Sequence, residues 1–165
     1  MQGAIPVVSL VSKLLSPEGG VGSDTLSYNE YCRAKLDAAG GTDFGASLSE
    51  LCDESRKEPR TLLLLTWMAY EGDGLLPPDL ARSAAARLSS TGFDYEYEIY
   101  RFEQARDEAM KRAGGNKPPR DDARASALAE EVLVACCFGA AGAEGVSEET
   151  RRHVTVVAEA AVRAI

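Results

Sequence analysis

The hydrophobic and polar positions of the chain repeat with the period of an α-helix along most of its length. Apolar residues return every three or four positions, and clusters of glycine, proline and serine separate the segments. The most apolar segment opens at Pro59 and runs to Tyr70, and its centre, Leu62 to Met68, is apolar nearly all round. A helix without a polar face has to be covered on every side. This segment is therefore predicted to be the most buried helix of the domain.

Capping boxes predict where the helices of the first part begin. In a capping box, a serine or threonine and a glutamate three positions later satisfy backbone N–H groups at a helix start. Two such pairs are present: Ser27 with Glu30, before a helix from Tyr28 to Ala39, and Ser47 with Glu50, before a helix that ends near Lys57.

The segment Phe93 to Tyr100 alternates apolar and acidic residues, which is also typical of a half-exposed strand. The residues after it favour a helix, because Asp107 with Lys111 and Glu108 with Arg112 form favourable i,i+4 pairs. Four helices are predicted after Tyr70. The first follows Pro77 and Pro78 and has Leu80, Ala84 and Leu88 on one face, and the second runs from Tyr95 to Ala113 with Asp94 as its cap. The third runs from Ala123 to Ala141, and the last is capped by Ser147 and has Val154, Val157 and Ile165 on its core face.

These elements predict an all-α protein, a single-domain helical bundle of six to seven helices formed by residues 25–165. A chain of 165 residues is long enough for about one well-buried domain. Residues 1–24 are predicted to form a short amphipathic helix, with Ile5, Val8 and Val11 on its apolar face, and a flexible glycine-rich connector.

An internal sequence repeat suggests that the bundle contains two related helix-turn-helix halves. Leu62 corresponds to Leu133 at an offset of 71 positions, and Trp67 corresponds to Phe138. At the same offset an acidic-glycine-apolar triplet recurs, since Asp73-Gly74-Leu75 corresponds to Glu144-Gly145-Val146. Apolar matches are common in a chain that is 45% hydrophobic, so the triplet is the informative part.

Charge and apolar run lengths exclude several classes of protein. The formal net charge of −8 repels nucleic acid phosphate and anionic lipid. No run reaches the roughly 18 apolar residues that a transmembrane helix needs, and the first 15 residues have no basic residue ahead of their apolar run, so a secretory signal is not expected. The sequence predicts a cytoplasmic protein whose four cysteines, Cys32, Cys52, Cys136 and Cys137, are buried thiols.

The scarcity of side chains suited to catalysis predicts that the protein is not an enzyme. His153 is the only histidine, so any Ser-His or Cys-His site would have to use it, and it is expected to be an exposed surface residue. No cysteine pair has the spacing of a structural zinc site. Acid-base catalysis by Glu96 and Glu98 has the least support, because carboxylates two positions apart on a helix diverge.

Carboxylates are plentiful beside the two glycine turns, and two interpretations of them stay open. They can serve as helix caps, as Glu148 and Glu149 would in the first turn after Ser147. They can also supply oxygen ligands to a hard cation such as calcium, which takes six to eight of them. The loop after Asp73 lacks the pattern of a calcium-binding EF-hand, because Leu75 and Pro77 occupy donor positions.

Two motifs resemble those of the tellurite-resistance TerB-like domains: AYEGDGLLPPD at Ala69 to Asp79 and GAAGAEGVSEE at Gly139 to Glu149, with FDYEYEI between them. The resemblance covers about residues 62–162. It implies an all-helical, non-enzymatic stress-response domain with a divalent cation site. That site would map onto Asp73, Asp79, Glu144 and Glu149.

An acidic protein-binding module is the alternative, for example an immunity or adaptor protein that binds a basic protein partner. This alternative is based on the net charge of −8 and on three tyrosines that lie next to acidic residues, Tyr95, Tyr97 and Tyr100. Aromatic residues are enriched at protein interfaces. These tyrosines are therefore the predicted partner-binding residues.

Overall fold

A computed structural model describes residues 25–90, 95–139 and 145–163 of the chain. The predicted N-terminal helix and its connector lie outside these ranges. So do Asp94, Glu144 and Ile165, and the proposed end of the helix at Ala141.

Within the described ranges the chain forms seven α-helices and no strand, which confirms the all-α prediction. The helices are α1 (Tyr28–Ala39), α2 (Asp43–Ser55), α3 (Pro59–Gly72), α4 (Asp79–Ser89), α5 (Tyr95–Arg112), α6 (Asp122–Phe138) and α7 (Glu148–Ala161). Tyr95 to Tyr100 are helical, so the alternating pattern of this segment did not indicate a strand.

Helix α3 lies at the centre of the bundle and contacts each of the other six described helices. Every residue from Thr61 to Gly72 is buried, and Trp67 is fully so. The indole of Trp67 packs against the rings of Tyr28 and Phe102, at centroid distances of 5.8 and 4.9 Å. The prediction that the most apolar segment is the most buried helix is confirmed, because the other helices cover it on all sides.

Side-chain caps fix the starts of three helices as the sequence predicts or nearly so. Ser27 and Glu30 form both hydrogen bonds of a capping box at α1. The Ser147 hydroxyl accepts from the backbone N–H of Thr150 at the start of α7. Helix α6 begins at Asp122, one residue before the predicted start at Ala123, and Asp121 caps it.

The predicted cap at Ser47 is wrong. Helix α2 begins four residues earlier, at Asp43, and the Thr42 hydroxyl accepts from the backbone N–H of Gly45. Ser47 is buried inside the helix, where its hydroxyl lies 2.8 Å from Nδ1 of His153 on α7. Only 14% of the His153 side chain is exposed, so the prediction of an exposed surface histidine is also wrong. Thr42 caps the helix before Ser47 can, and the packing of α2 on α7 buries both Ser47 and His153.

The predicted repeat corresponds to the pairs α3–α4 and α6–α7. Leu62 on α3 and its counterpart Leu133 on α6 are both fully buried, and α3 packs against α6. Trp67 is buried whereas its counterpart Phe138 is half-buried. The second acidic turn includes Glu144, outside the described residues, so the duplication stays a prediction.

The four cysteines are free thiols in the described helices, but the prediction that all four are buried holds for only two of them. Cys32 and Cys136 are buried, while Cys52 and Cys137 are half-buried. Burial raises the pKa of the Cys136 thiol to about 11 and that of Cys137 to about 12, which keeps both protonated at neutral pH. Of the helices described, none is long and apolar enough to cross a membrane.

A buried hydroxyl joins the first helix to the last. The Tyr31 hydroxyl lies 2.9 Å from Oγ1 of Thr66 and 2.8 Å from the carbonyl oxygen of Ala161, and Tyr31 is fully buried. Removal of one partner leaves a buried polar group without a hydrogen bond and costs its desolvation. We expect Tyr31→Phe to lower the free energy of unfolding by about 1–2 kcal/mol, measured by urea denaturation.

Tyr100→Phe is the matched control, because the Tyr100 side chain is 59% exposed and water can replace its contacts. Its effect should stay within about 0.5 kcal/mol. Equal effects of the two substitutions would contradict the proposed role of the Tyr31 hydroxyl.

Candidate functional site

The acidic turn after α3 is built from Glu71, Gly72, Asp73 and Gly74. Glu71 and Gly72 form the last turn of the helix and Asp73 is its C-cap. Gly74 has a φ of 77°, in the left-handed region that favours glycine, and a Cβ there would lie 3.3 Å from Nη2 of Arg124. The turn therefore requires glycine for its backbone conformation, and the Arg124 guanidinium would have to shift slightly to admit a Cβ.

Glu71 is a buried acid that faces two cations. It is 1% exposed, and its Oε1 lies 3.2 Å from Nζ of Lys117 and 3.5 Å from Nη1 of Arg106. Burial raises the pKa of the Glu71 carboxyl, and the charges of Lys117 and Arg106 offset this effect only in part. Arg106 also donates to the carbonyl oxygen of Leu26, at 3.3 Å, which connects the start of the described chain to the same cluster.

Asp73 is bound by a bidentate guanidinium. Arg124 donates from Nε to Oδ1 at 2.7 Å and from Nη2 to Oδ2 at 2.9 Å, and the backbone N–H of Asp121 donates to Oδ2 at 2.8 Å. Burial acts to raise the pKa of the Asp73 carboxyl. The hydrogen bonds from Arg124 and Asp121 and the charges of Arg124 and Arg120 outweigh burial, so the pKa lies below its ordinary value.

These contacts fasten the connector between α5 and α6 to the end of α3. Besides Lys117 and the Asp121 N–H, the connector supplies Arg120, whose guanidinium lies 4.1 Å from the ring centroid of Tyr70. Cation–π contacts of this kind add to the ion pairs. The acids of the turn thus neutralise basic side chains of the chain itself.

The residues predicted to bind a cation are mostly engaged in other contacts. Asp73 is bound by Arg124; Asp79 is exposed and its carboxylate lies 3.0 Å from Nη1 of Arg82. Glu149 is exposed, 4.0 Å from Nε2 of His153. In the part of the chain that the structure describes, no three His, Cys, Asp or Glu side chains form a group that could hold a metal ion. With Glu144 outside that part, cation binding stays a prediction.

The three predicted partner-binding tyrosines differ in exposure. Tyr97 and Tyr100 are 54% and 59% exposed on α5. Tyr95 is half-buried, and its hydroxyl hydrogen-bonds with the Thr61 hydroxyl and lies 3.4 Å from Glu58. The surface of α5 therefore offers two aromatic side chains to a partner. Partner binding by this surface stays a prediction.

The carboxylates weighed for acid-base catalysis do not face a common space. Glu98 is buried, and Arg87 of α4 donates to both of its oxygens, at 2.6 and 2.8 Å. Glu96 is exposed. Glu98 therefore has a structural contact that joins α4 to α5.

A groove of about 650 Å³ opens beside the acidic turn and is the candidate functional site. Its size lies in the range of known binding pockets. Its apolar lining comes from α3, the loop after it, α4, α5 and α6: Met68, Gly72, Leu75, Leu76, Pro77, Pro78, Ala81, Phe102, Ala127 and Leu128. The groove offers an apolar binding surface with no candidate nucleophile or histidine in its lining.

Charged side chains stand at the edge of this groove in pairs. Arg82 of α4 donates to both carboxylate oxygens of Glu131 of α6, at 2.7 and 3.2 Å, which bridges the two helices. The pair Arg124 and Asp73 also borders the groove. The Arg82–Glu131 pair is half exposed on both sides and contributes little to stability, whereas Asp73 in the other pair is buried.

Sequence patterns identified one side of this site and missed the other. The turn was found because acids beside glycine are conspicuous. The groove was missed because alanine, leucine and proline are ordinary core residues, and only the placement of the loop after α3 beside α6 leaves a space between them. The charge complementarity of Glu71 and Asp73 with Lys117 and Arg124 was a usable signal, although it spans about 50 residues.

The contacts of Asp73 predict a pH-dependent contribution to stability. Asp73→Asn should lower the free energy of unfolding at pH 7 by about 1–2 kcal/mol, because charge-assisted hydrogen bonds to a buried carboxylate are lost. A carboxyl whose pKa is lowered by folding stabilises the native state above its unfolded-state pKa, and this contribution is lost as pH falls through the folded-state value. The difference between wild type and variant, measured by urea denaturation, should therefore shrink between pH 5 and pH 3.

Asp79→Asn is the control for this measurement, because Asp79 is exposed and only its pair with Arg82 is lost. Its effect should stay within about 0.5 kcal/mol. If the difference in unfolding free energy between wild type and Asp73→Asn stayed constant from pH 7 to pH 3, the stabilisation by Asp73 would not depend on its negative charge.

Comparison with known proteins finds similarity to plant proteins. No protein-family model matches the chain, and no solved structure matches it. The chain is 30% identical over 161 residues to a Zea mays protein named photosystem I assembly factor PSA3, chloroplastic, and the match covers 92% of this chain and 58% of that protein. The Arabidopsis thaliana protein of the same name is 30% identical over 141 residues, which cover 82% of this chain and 50% of that protein.

The chain thus spans little more than half the length of the curated relatives it matches. Both names describe an assembly factor and not an enzyme, in agreement with the prediction of a non-enzymatic protein. Both also say chloroplastic, so a cytoplasmic location for this chain stays a prediction. Neither name refers to tellurite resistance, and the TerB-like resemblance stays a prediction as well.

Proposed function

We propose that this chain is a protein-binding module that acts in the assembly of photosystem I, without enzymatic chemistry. The observation that carries the proposal is the similarity to two photosystem I assembly factors over 92% and 82% of this chain. The aligned part is long enough to include most of the helical bundle, so the shared segment comprises a folded unit rather than a short motif.

The charge and the surface of the bundle support a role in binding a protein. A net charge of −8 attracts basic partners and repels acidic ones. An apolar groove and two exposed tyrosines offer contacts of the type that protein interfaces use. The partner in this proposal is a subunit of the complex under assembly, with a basic surface.

Disruption of the gene in the organism that encodes this chain tests the proposal. We expect a severalfold loss of photosystem I, measured by immunoblotting of its subunits and by the light-induced absorbance change of its reaction centre. Photosystem II and ATP synthase should remain near their normal amounts, because an assembly factor acts on its own complex.

Reintroduction of the intact gene should restore photosystem I and is the control for secondary mutations. Normal photosystem I in the disrupted strain would refute the proposal. An equal loss of all photosynthetic complexes would also refute it, because the defect would then be general.

A further inference from the structure

We infer that the groove beside the acidic turn, lined by the loop of residues 73–78 and by α6, receives an apolar α-helical segment of the client protein, flanked by basic residues. This inference rests on the proposed function, since it names the part of the client that the module binds. It follows from the shape of the groove, from the absence of a sheet edge among the described residues, and from the distribution of charge.

The groove runs along one face of α6 for a length that suits about two turns of a bound helix. On α6 its lining residues are Arg124, Ala127, Leu128 and Glu131, which recur at the spacing of one helical face. They extend over about two turns, or roughly 10 Å at a rise of 1.5 Å per residue. A helix bound in a groove of this length places two or three apolar side chains at i, i+3 or i+4, and i+7. Ala127 is small and exposed, so a bound helix can approach α6 closely there.

The surrounding backbone favours a helical occupant over an extended one. An extended peptide gains affinity mainly when it adds a strand to an exposed sheet edge. The described ranges contain helices and no strand, so no such edge borders the groove. An extended segment would leave its backbone N–H and C=O groups without partners on an apolar surface, whereas a helix satisfies them internally.

Charge determines which segments fit. At the edge of the groove the two guanidinium groups of Arg82 and Arg124 pair with the three carboxylates of Asp73, Asp79 and Glu131, so each charge has a partner and the formal sum is −1. The centre of the occupant therefore needs no charge of its own. The chain as a whole carries −8, so basic residues on both sides of an apolar centre are attracted and acidic ones are repelled.

The same field disfavours a second copy of this chain in the groove. Two copies that each carry −8 repel one another, and the self-paired charges of the groove edge offer no compensation. A client helix with basic flanks has the opposite charge. Charge complementarity thus selects the client over self-association.

Binding of model peptides tests the inference in solution. The probe is a fluorescein-labelled peptide of leucine and lysine, about 14 residues long, with leucines at i, i+3, i+4 and i+7 to give one apolar helical face. One matched peptide has glutamate in place of each lysine, and another has the same composition in alternating order. Fluorescence anisotropy should show binding of the first peptide at least about tenfold tighter than of either control.

Paired arginine substitutions locate the binding surface. Ala127→Arg places a long charged side chain in the groove, while Ala86→Arg makes the same change of charge on an exposed position of α4 that does not line it. We expect Ala127→Arg to weaken binding of the leucine–lysine peptide at least about tenfold and Ala86→Arg less than about twofold. Equal weakening by both variants, or none by either, would overturn the inference.

Urea denaturation checks that both variants fold, and Ala127→Gln, which adds bulk without charge, replaces Ala127→Arg if that variant does not. Equal binding of the glutamate peptide would also overturn the inference. So would concentration-dependent dimerisation that Ala127→Arg abolishes, because the occupant would then be a second copy.

Expression of the variants in the gene-disrupted strain separates this inference from the proposed function. If Ala86→Arg restores photosystem I and Ala127→Arg does not, both are supported. If both variants restore it, the groove inference fails while the assembly function stands. If disruption leaves photosystem I normal, the assembly function fails whatever the peptides show.

Discussion

The absence of a polar face on α3 is the constraint on which the rest of the bundle depends. A helix that is apolar all round loses free energy of transfer for every side left in water, at about 25 cal/mol per Å² of apolar surface. The other six described helices lie against it, and each can keep a polar face because it has to cover only part of α3. Burial of α3 therefore requires that the other described helices surround it.

The end of this helix creates the second constraint. Glu71 follows Tyr70 without leaving the core, so its carboxylate is buried and has to face cations there. Lys117 and Arg106 supply them, and Asp73 two positions later binds Arg124. The two carboxyl groups have opposite pKa shifts, because burial outweighs the nearby cations at Glu71, whereas at Asp73 the hydrogen bonds and charges of the neighbouring groups together outweigh burial. Together they hold the connector before α6, and so they fix one side of the groove.

Local signals were sufficient for most of the fold. The box of Ser27 and Glu30, the proline at position 59 and the serine at position 147 each mark a helix start that the structure contains. Ser47 and Glu50 have the same spacing but lie inside α2, because Thr42 directly follows the glycines that end α1 and caps the helix first. The spacing of a capping box does not show which of two nearby candidates is used. The burial of His153 depends on Ser47, 106 positions away, and no local pattern contains that contact.

The candidate site was predictable only where it is made of charge. Acids beside glycine drew attention to the turn, but the same acids suit a cation, a cap or an internal ion pair, and the choice depends on Lys117 and Arg124 from a distant segment. The groove is a space between ordinary apolar residues. It is lined by the loop of residues 73–78 and by α6, and the bridge of Arg82 and Glu131 stands at its edge, where α4 packs against α6. Among the described residues that line it there is no histidine or candidate nucleophile that a sequence motif would record. The groove is a product of packing around one apolar helix, so its position depends on contacts between distant segments and not on any local motif.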